Sequence, residues 1–425
     1  MGRVLASLQS GDWLTAERIR LVAVAVLFAS LASIGYLVAT SNGLNDYAGR
    51  PLGTDFSNVY AAGQLVLDGH PDAPFDPVLQ HARERATFGE TTPFYGWHYP
   101  PFFLLVAAGL ALLPYPLALA VWQAVTLLLY LVSIRAIVSA STVAETDLHL
   151  SSPVTAWSWL LLALAFPAVL VNLGHGHNGF LTAALFGGAL VVLDHRPVVA
   201  GILLGLLAYK PQFGVLIPIA LAATGRWRTI AAAAVTVVLL VVATTLVFGP
   251  SVWTAFVTWS EFTRTIVLEQ GDTGWHKIQT AFSWVRMWGG PVPLAYAVQG
   301  AVTLALAVSL IWLWRSGADF ALKAAALLLA SLLATPYSLD YDMMVLAPAI
   351  AFLAAAAHAR GFAPYEKTVL AALWLVPLIA RGTAQATLIP LGVITMGASY
   401  LFILDWARRE VAGLSGWLSA PGAVR

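Results

Sequence analysis

The chain has 425 residues, of which 59% are hydrophobic and only 10% charged, and its formal net charge is +1. A soluble domain carries about 25% charged residues, so the composition excludes an ordinary soluble protein, and a charge this small supplies no field for nucleic acid. With no cysteine, disulfides, thiolate nucleophiles and cysteine metal sites are excluded together.

Arg18 and Arg20 precede an apolar run from Leu21 to Ala39 with no clear small-residue cleavage site. The start therefore reads as a signal anchor and first helix rather than a cleaved signal peptide. After this first span, at 20–40, apolar runs follow at 115–138, 155–171, 178–193, 197–208, 211–224, 229–248, 292–314, 320–335, 343–357, 366–380 and 386–404. A span needs about 20 apolar residues. The runs predict an all-α polytopic membrane protein, a single domain over residues 1–425 with about twelve transmembrane helices. The runs at 197–208 and 211–224 are short, as expected of tilted or broken helices or of helices buried in protein. Pro114 and Pro116 cut the apolar run 101–113 from the next span, and it reads as a dipping or membrane-surface segment.

Cytoplasmic loops carry the excess of Lys and Arg. With the N-terminus in the cytoplasm, eight of the 22 Lys and Arg fall outside (Arg50, Arg83, Arg85, Lys210, Arg264, Lys277, Arg286 and Arg381) and 14, from Arg3 to Arg425, inside. Counting 101–113 as a full span would reverse that bias. Both termini are then cytoplasmic. Two long loops, 41–114 and 249–291, lie outside with three polar turns, Gly174–Asn178, Tyr209–Gln212 and Thr335–Asp342. Most of the unusual polar residues near the membrane fall in these five places, so chemistry or binding is expected on the outer face.

In the first loop, Phe56, Val59, Tyr60, Gly63, Val66 and Leu67 recur at helical spacing. They predict a short amphipathic helix in the membrane interface, with Asp55 at its start either as an N-cap or as a general base. The loop ends in Trp97-His98-Tyr99-Pro100-Pro101; the aromatics suit an interfacial anchor, which leaves His98 unexplained. His175, His177 and Asn178 lie in a glycine-rich turn, read either as a simple turn or as polar contacts to a ligand. Two histidines do not fill a tetrahedral metal site. Lys210, in Tyr209-Lys210-Pro211-Gln212, is a lysine near membrane depth that has a partner, a task or a route to the surface; a phosphate is one such partner. Trp275-His276-Lys277 in the second loop suggests contact with a lipid headgroup or phosphate. In the Thr335–Asp342 turn, Tyr337 and Asp340 join the candidate set, with helix capping the plain alternative for Asp340 or Asp342.

Together these segments resemble glycosyltransferase family 87, membrane enzymes of the GT-C superfamily. The likeness rests on Asp55-Phe56 through Tyr60-Ala61-Ala62-Gly63, Gly69, Tyr99-Pro100-Pro101, Leu113-Pro114, Ala120-Val121-Trp122, the Gly174–Asn178 turn, Lys210-Pro211-Gln212 and Thr335-Pro336. It implies a GT-C-like bundle with a polyprenyl-phosphate sugar, typically mannose, as donor. The sugar is transferred with inversion to a lipid or glycan acceptor on the outer side of the bacterial plasma membrane, and Asp55 is the catalytic base. Tyr60, His98, Tyr99, His175, His177, Asn178, Lys210, Gln212, His276, Lys277, Tyr337 and Asp340 are the expected substrate-binding residues. His177, Tyr337 and Phe75 stand where relatives often carry Gln, His and Tyr, differences that bear on donor sugar and acceptor rather than on reaction class. A lipid phosphate leaves without being protonated, so one carboxylate suffices, unlike the pair a glycosidase needs, and no cofactor or metal is required. The rival class is a transporter or flippase of lipid-linked sugars, which predicts internal repeats and polar groups near the midplane; no clear repeat is visible.

Overall fold

The computed structural model describes residues 2–142 and 153–413, and Arg425 lies outside them. Among the described residues the chain is helical throughout, with no strand and only isolated bridges such as Ile278–Leu339. A helix satisfies its backbone polar groups internally, which hydrocarbon demands.

Six helices are long and apolar enough to cross a membrane: Ala16–Ala39, Tyr115–Ala140, Trp227–Phe248, Val292–Arg315, Asp340–Arg360 and Glu366–Thr387. Ser158–Leu164 and Pro167–His175 form a pair bent by 48°. Gly179–Val192, Pro197–Tyr209, Pro211–Ala223 and Phe320–Leu333 are shorter apolar helices, and the 21-residue helix Leu391–Val411 closes the described chain. All twelve apolar runs of the sequence are thus largely helical, and the protein is a polytopic membrane protein. The helix Phe103–Ala111 has nine residues, about 13 Å of rise, too short to cross a core of about 30 Å.

Burial separates central from peripheral helices. Every residue of Phe320–Leu333 except Phe320 and Lys323 is buried, whereas Trp227–Phe248 buries only Thr229 and Thr244. Its open Val and Leu side chains form an apolar surface suited to lipid. Glycines allow a close contact here: a Cβ on Gly201 would stand 2.4 Å from the Thr229 carbonyl oxygen and one on Gly205 2.6 Å from Thr236. The helix beginning at Pro197 therefore seats its small residues against the helix beginning at Trp227, the close approach membrane helices favour.

The predicted helix around Asp55 exists, over Thr54–Leu67, and most of it is buried against the rest of the protein. Its apolar face rests on Phe103–Ala111 so closely that a Cβ on Gly63 would stand 2.2 Å from the Ala107 oxygen. Its polar face is covered too: Gln80, on the helix Pro77–Phe88, donates to the Asn58 carbonyl at 3.0 Å. The helix, buried in protein, carries Asp55 in its first turn.

Candidate active site

The Asp55 helix starts at Gly53, whose φ of 70° makes a sharp entry. Asp55 lies inside the first turn and caps nothing; among the described residues its carboxylate accepts no hydrogen bond. The capping alternative is set aside. Next to it, Thr54 Oγ1 and His175 Nδ1 are 2.6 Å apart, which fixes the His175 ring beside the carboxylate. The turn carrying His175 is pinned to the same helix start. Trp122 Nε1 donates to the Gly176 carbonyl at 3.1 Å, and a Cβ on Gly176 would stand 2.6 Å from that of Phe56.

The remaining polar segments converge by direct contacts. Asn172 donates to the Tyr341 carbonyl at 3.2 Å and accepts from the Gly179 N–H at 2.9 Å, tying the histidine turn to the 335–342 segment. The His177 ring stacks on Tyr341 with centroids 3.4 Å apart. Buried Lys210 donates to Asp342 at 2.5 Å and lies 5.3 Å from the Tyr341 ring centre, so its ammonium has a protein partner. The second long loop is stitched to the same segment: Gln279 N donates to the Ser338 carbonyl at 2.7 Å, and Thr280 Oγ1 to the Pro336 carbonyl at 3.1 Å. All five segments singled out in the sequence meet at one end of the molecule.

Their side chains are not equal in role. The Tyr60 hydroxyl is spent on the Leu113 carbonyl at 2.9 Å, fastening the Asp55 helix to its neighbour. His98 stacks on Trp259, bonds to Thr263 at 3.0 Å, and is pushed by burial down to about 4, which keeps it neutral. It joins the two long loops. Among the described residues, half-buried Gln212 makes no side-chain hydrogen bond, and buried His177 Nδ1 and Asn178 Oδ1 have no partner. His276 and Lys277 are half-buried and Lys277 forms no ion pair among the described residues. Asp340 accepts from Arg381 at 3.2 Å and from the Tyr341 N–H at 2.9 Å.

Asp55 lies deep in the protein yet keeps some accessible surface. Desolvation raises its pKa above the usual carboxylate value, countered by the charge of His175, reinforced by Asp340 and opposed again by Lys210 and Lys277. Burial, and then the Asp55 carboxylate, holds the Tyr99 phenol well above its ordinary value. The sequence reading left Asp342, Tyr341 and Arg381 out of the site. For Arg381 the one available signal was its position, a lone cation where the run at 366–380 ends. No group of three or more His, Asp or Glu gathers to hold a metal among the described residues. An apolar groove of about 390 Å³ opens between Val215–Ile219, Tyr296–Ala307 and Ala334–Pro336, with Pro336 adjoining Tyr337 of the site.

Comparison with protein families matches residues 97–336 to Glycosyltransferase family 87, more than half of the 425 residues. Asp55 and Arg381 lie outside the matched segment. No curated protein and no solved structure matches the chain.

Proposed function

The chain belongs to glycosyltransferase family 87 and is a membrane glycosyltransferase; from that premise we propose that it transfers a sugar, mannose first among candidates, from a polyprenyl-phosphate donor to a lipid or glycan hydroxyl on the outer face of the bacterial plasma membrane. The twelve-span topology with both termini cytoplasmic belongs to the same proposal. The observation that carries it is the Asp55 carboxylate, set in the first turn of a buried helix, free of hydrogen bonds among the described residues and still partly accessible. The acceptor oxygen attacks the anomeric carbon while its proton passes to Asp55. The bond from that carbon to the phosphate oxygen breaks with its electron pair moving to the phosphate, and polyprenyl phosphate leaves. Attack from the opposite face inverts the configuration. Desolvation suits Asp55 to this work, because a carboxylate with a raised pKa is a better proton acceptor. Lys277, with no counter-ion among the described residues, and His276 supply positive charge for the leaving phosphate, and Lys210 adds its field from beneath. Tyr99, Tyr337, His175, His177, Asn178 and Gln212 surround the sugar and acceptor. The apolar groove ending at Pro336 suits an isoprenoid tail.

The test uses the full chain in nanodiscs with radiolabelled polyprenyl-phosphate mannose and a membrane glycolipid extract. Wild type is expected to make a labelled product, and Asp55→Asn to lose at least ~100-fold of that rate, the scale of a general base. Equal rates would remove Asp55 as the base. Absence of product from wild type with any lipid-linked sugar, with label instead crossing a sealed bilayer, would refute the transferase donor reading.

A further inference from the structure

Arg381 sits near the end of the Glu366–Thr387 helix, and 40% of its side chain is exposed. Its Nη1 donates to Asp340 Oδ2 at 3.2 Å; the other guanidinium nitrogens have no partner among the described residues. A second cation stands near Asp340. The antiparallel bridge between Ile278 and Leu339 sets Lys277 opposite Asp340, because neighbours of a bridged pair oppose each other in turn. Lys277 is half-buried and makes no ion pair among the described residues. Two cations from separate elements thus stand near one carboxylate. Desolvation and then the nearby Arg381 lower the Lys277 pKa, opposed by the charges of Asp340, Asp55 and Asp272. Among the described residues Lys277 makes no direct ion pair and Arg381 keeps unbonded N–H groups, so both can still bond an anion.

We infer that Arg381, together with Lys277, binds the phosphate group of the lipid-linked donor, and that Asp340 positions both cations while the site is empty. The inference rests on the donor reading above. A guanidinium offers a planar fork that fits phosphate oxygens bidentately, and Arg381 keeps free N–H groups and solvent access for it. Lys277 serves as a point charge. The two cations come from the second long loop and from a helix beyond the family-matched segment, so the phosphate would bridge two separate elements.

The experiment measures binding of a short-chain polyprenyl monophosphate to the full chain in zwitterionic nanodiscs, with uncharged polyprenol of equal length and inorganic phosphate as control probes. Donor KM and kcat are measured in parallel for wild type, Arg381→Gln and Arg381→Lys. Arg381→Gln should weaken polyprenyl phosphate and raise donor KM by about tenfold or more, the scale of a lost charged hydrogen bond, with a smaller change in kcat. Arg381→Lys should restore part of the loss, while polyprenol binding stays at the wild-type value. Inorganic phosphate should compete weakly in wild type and not in Arg381→Gln. Unchanged polyprenyl phosphate affinity and donor KM in Arg381→Gln overturn the inference and leave the donor reading standing. Equal weakening of polyprenol and polyprenyl phosphate also overturns it, as the mark of a merely structural residue. A wild-type protein that neither prefers polyprenyl phosphate to polyprenol nor uses a lipid-phosphate sugar overturns the donor reading and the inference with it.

Discussion

Asp55 and Glu366 both stand in the first turn of a helix, where the helix dipole favours a carboxylate, yet the protein uses them in opposite ways. Glu366 is fully buried; Arg360 grips it through two nitrogens at 2.6 and 3.1 Å, and the Ala363 N–H adds a third bond at 2.8 Å. Asp55 accepts nothing among the described residues and keeps accessible surface. The Glu366–Thr387 helix carries both kinds of environment: Arg381 lies 15 positions on from Glu366, about 22 Å along the axis, and joins the Asp55 end. A charge whose bonds are all taken holds structure, whereas a desolvated charge left without a partner is available for chemistry. Glu84 shows a third solution. It is fully buried and pairs with no cation among the described residues; it accepts from the Tyr95 N–H at 3.0 Å and Gln80 at 3.3 Å, and desolvation pushes it to about 8, so it is mostly neutral at pH 7.

The sharpest way to break this contrast is to open the closed pair. Glu366→Gln leaves Arg360 without its counter-charge and should destabilise the fold by ~3–5 kcal/mol, read as a lower unfolding midpoint in detergent, while the rate per folded molecule is kept. A loss of rate without loss of stability would place function at that end too. Glu84 tests the neutral state. Its folded pKa of about 8 lies above the unfolded value near 4.5, so its contribution to stability is complete below the unfolded pKa and is lost as pH rises toward the folded one. By pH 7 the loss is ~3 kcal/mol at about 1.4 kcal/mol per unit. Glu84→Gln cannot ionise and should flatten the unfolding midpoint across that window; an unchanged slope would show that Glu84 is charged in the fold. The smallest effect belongs to Arg83 and Asp68, an exposed ion pair at the same end. Arg83→Gln should shift stability by less than ~1 kcal/mol, since partial exposure screens the pair.

Much of this was legible in the sequence because it depends on local pattern. Apolar runs located the helices, and the polar residues left between them gathered at one end. What depends on pairing across the chain was hidden. Lys210 meets Asp342 over 132 positions and Arg381 meets Asp340 over 41, and no local motif announces either bond. The spacing of Phe56, Val59, Tyr60 and Gly63 reports one apolar face. It cannot report that Pro77–Phe88 folds over the other, so the burial of the helix stays out of view. Tyr60 likewise reads as a ligand contact, because only the fold shows its hydroxyl held by Leu113.

The central claim, that Asp55 is open for proton transfer, is tested most directly by the pH dependence of kcat/KM for sugar transfer, measured in wild type and Asp55→Asn. Only the ionised carboxylate accepts a proton, so activity must fall as pH drops through the Asp55 pKa. Desolvation holds that pKa above the ordinary 3.8. The account predicts an acid limb above that value in wild type and none in the residual activity of Asp55→Asn. The same acid limb in both proteins would contradict it.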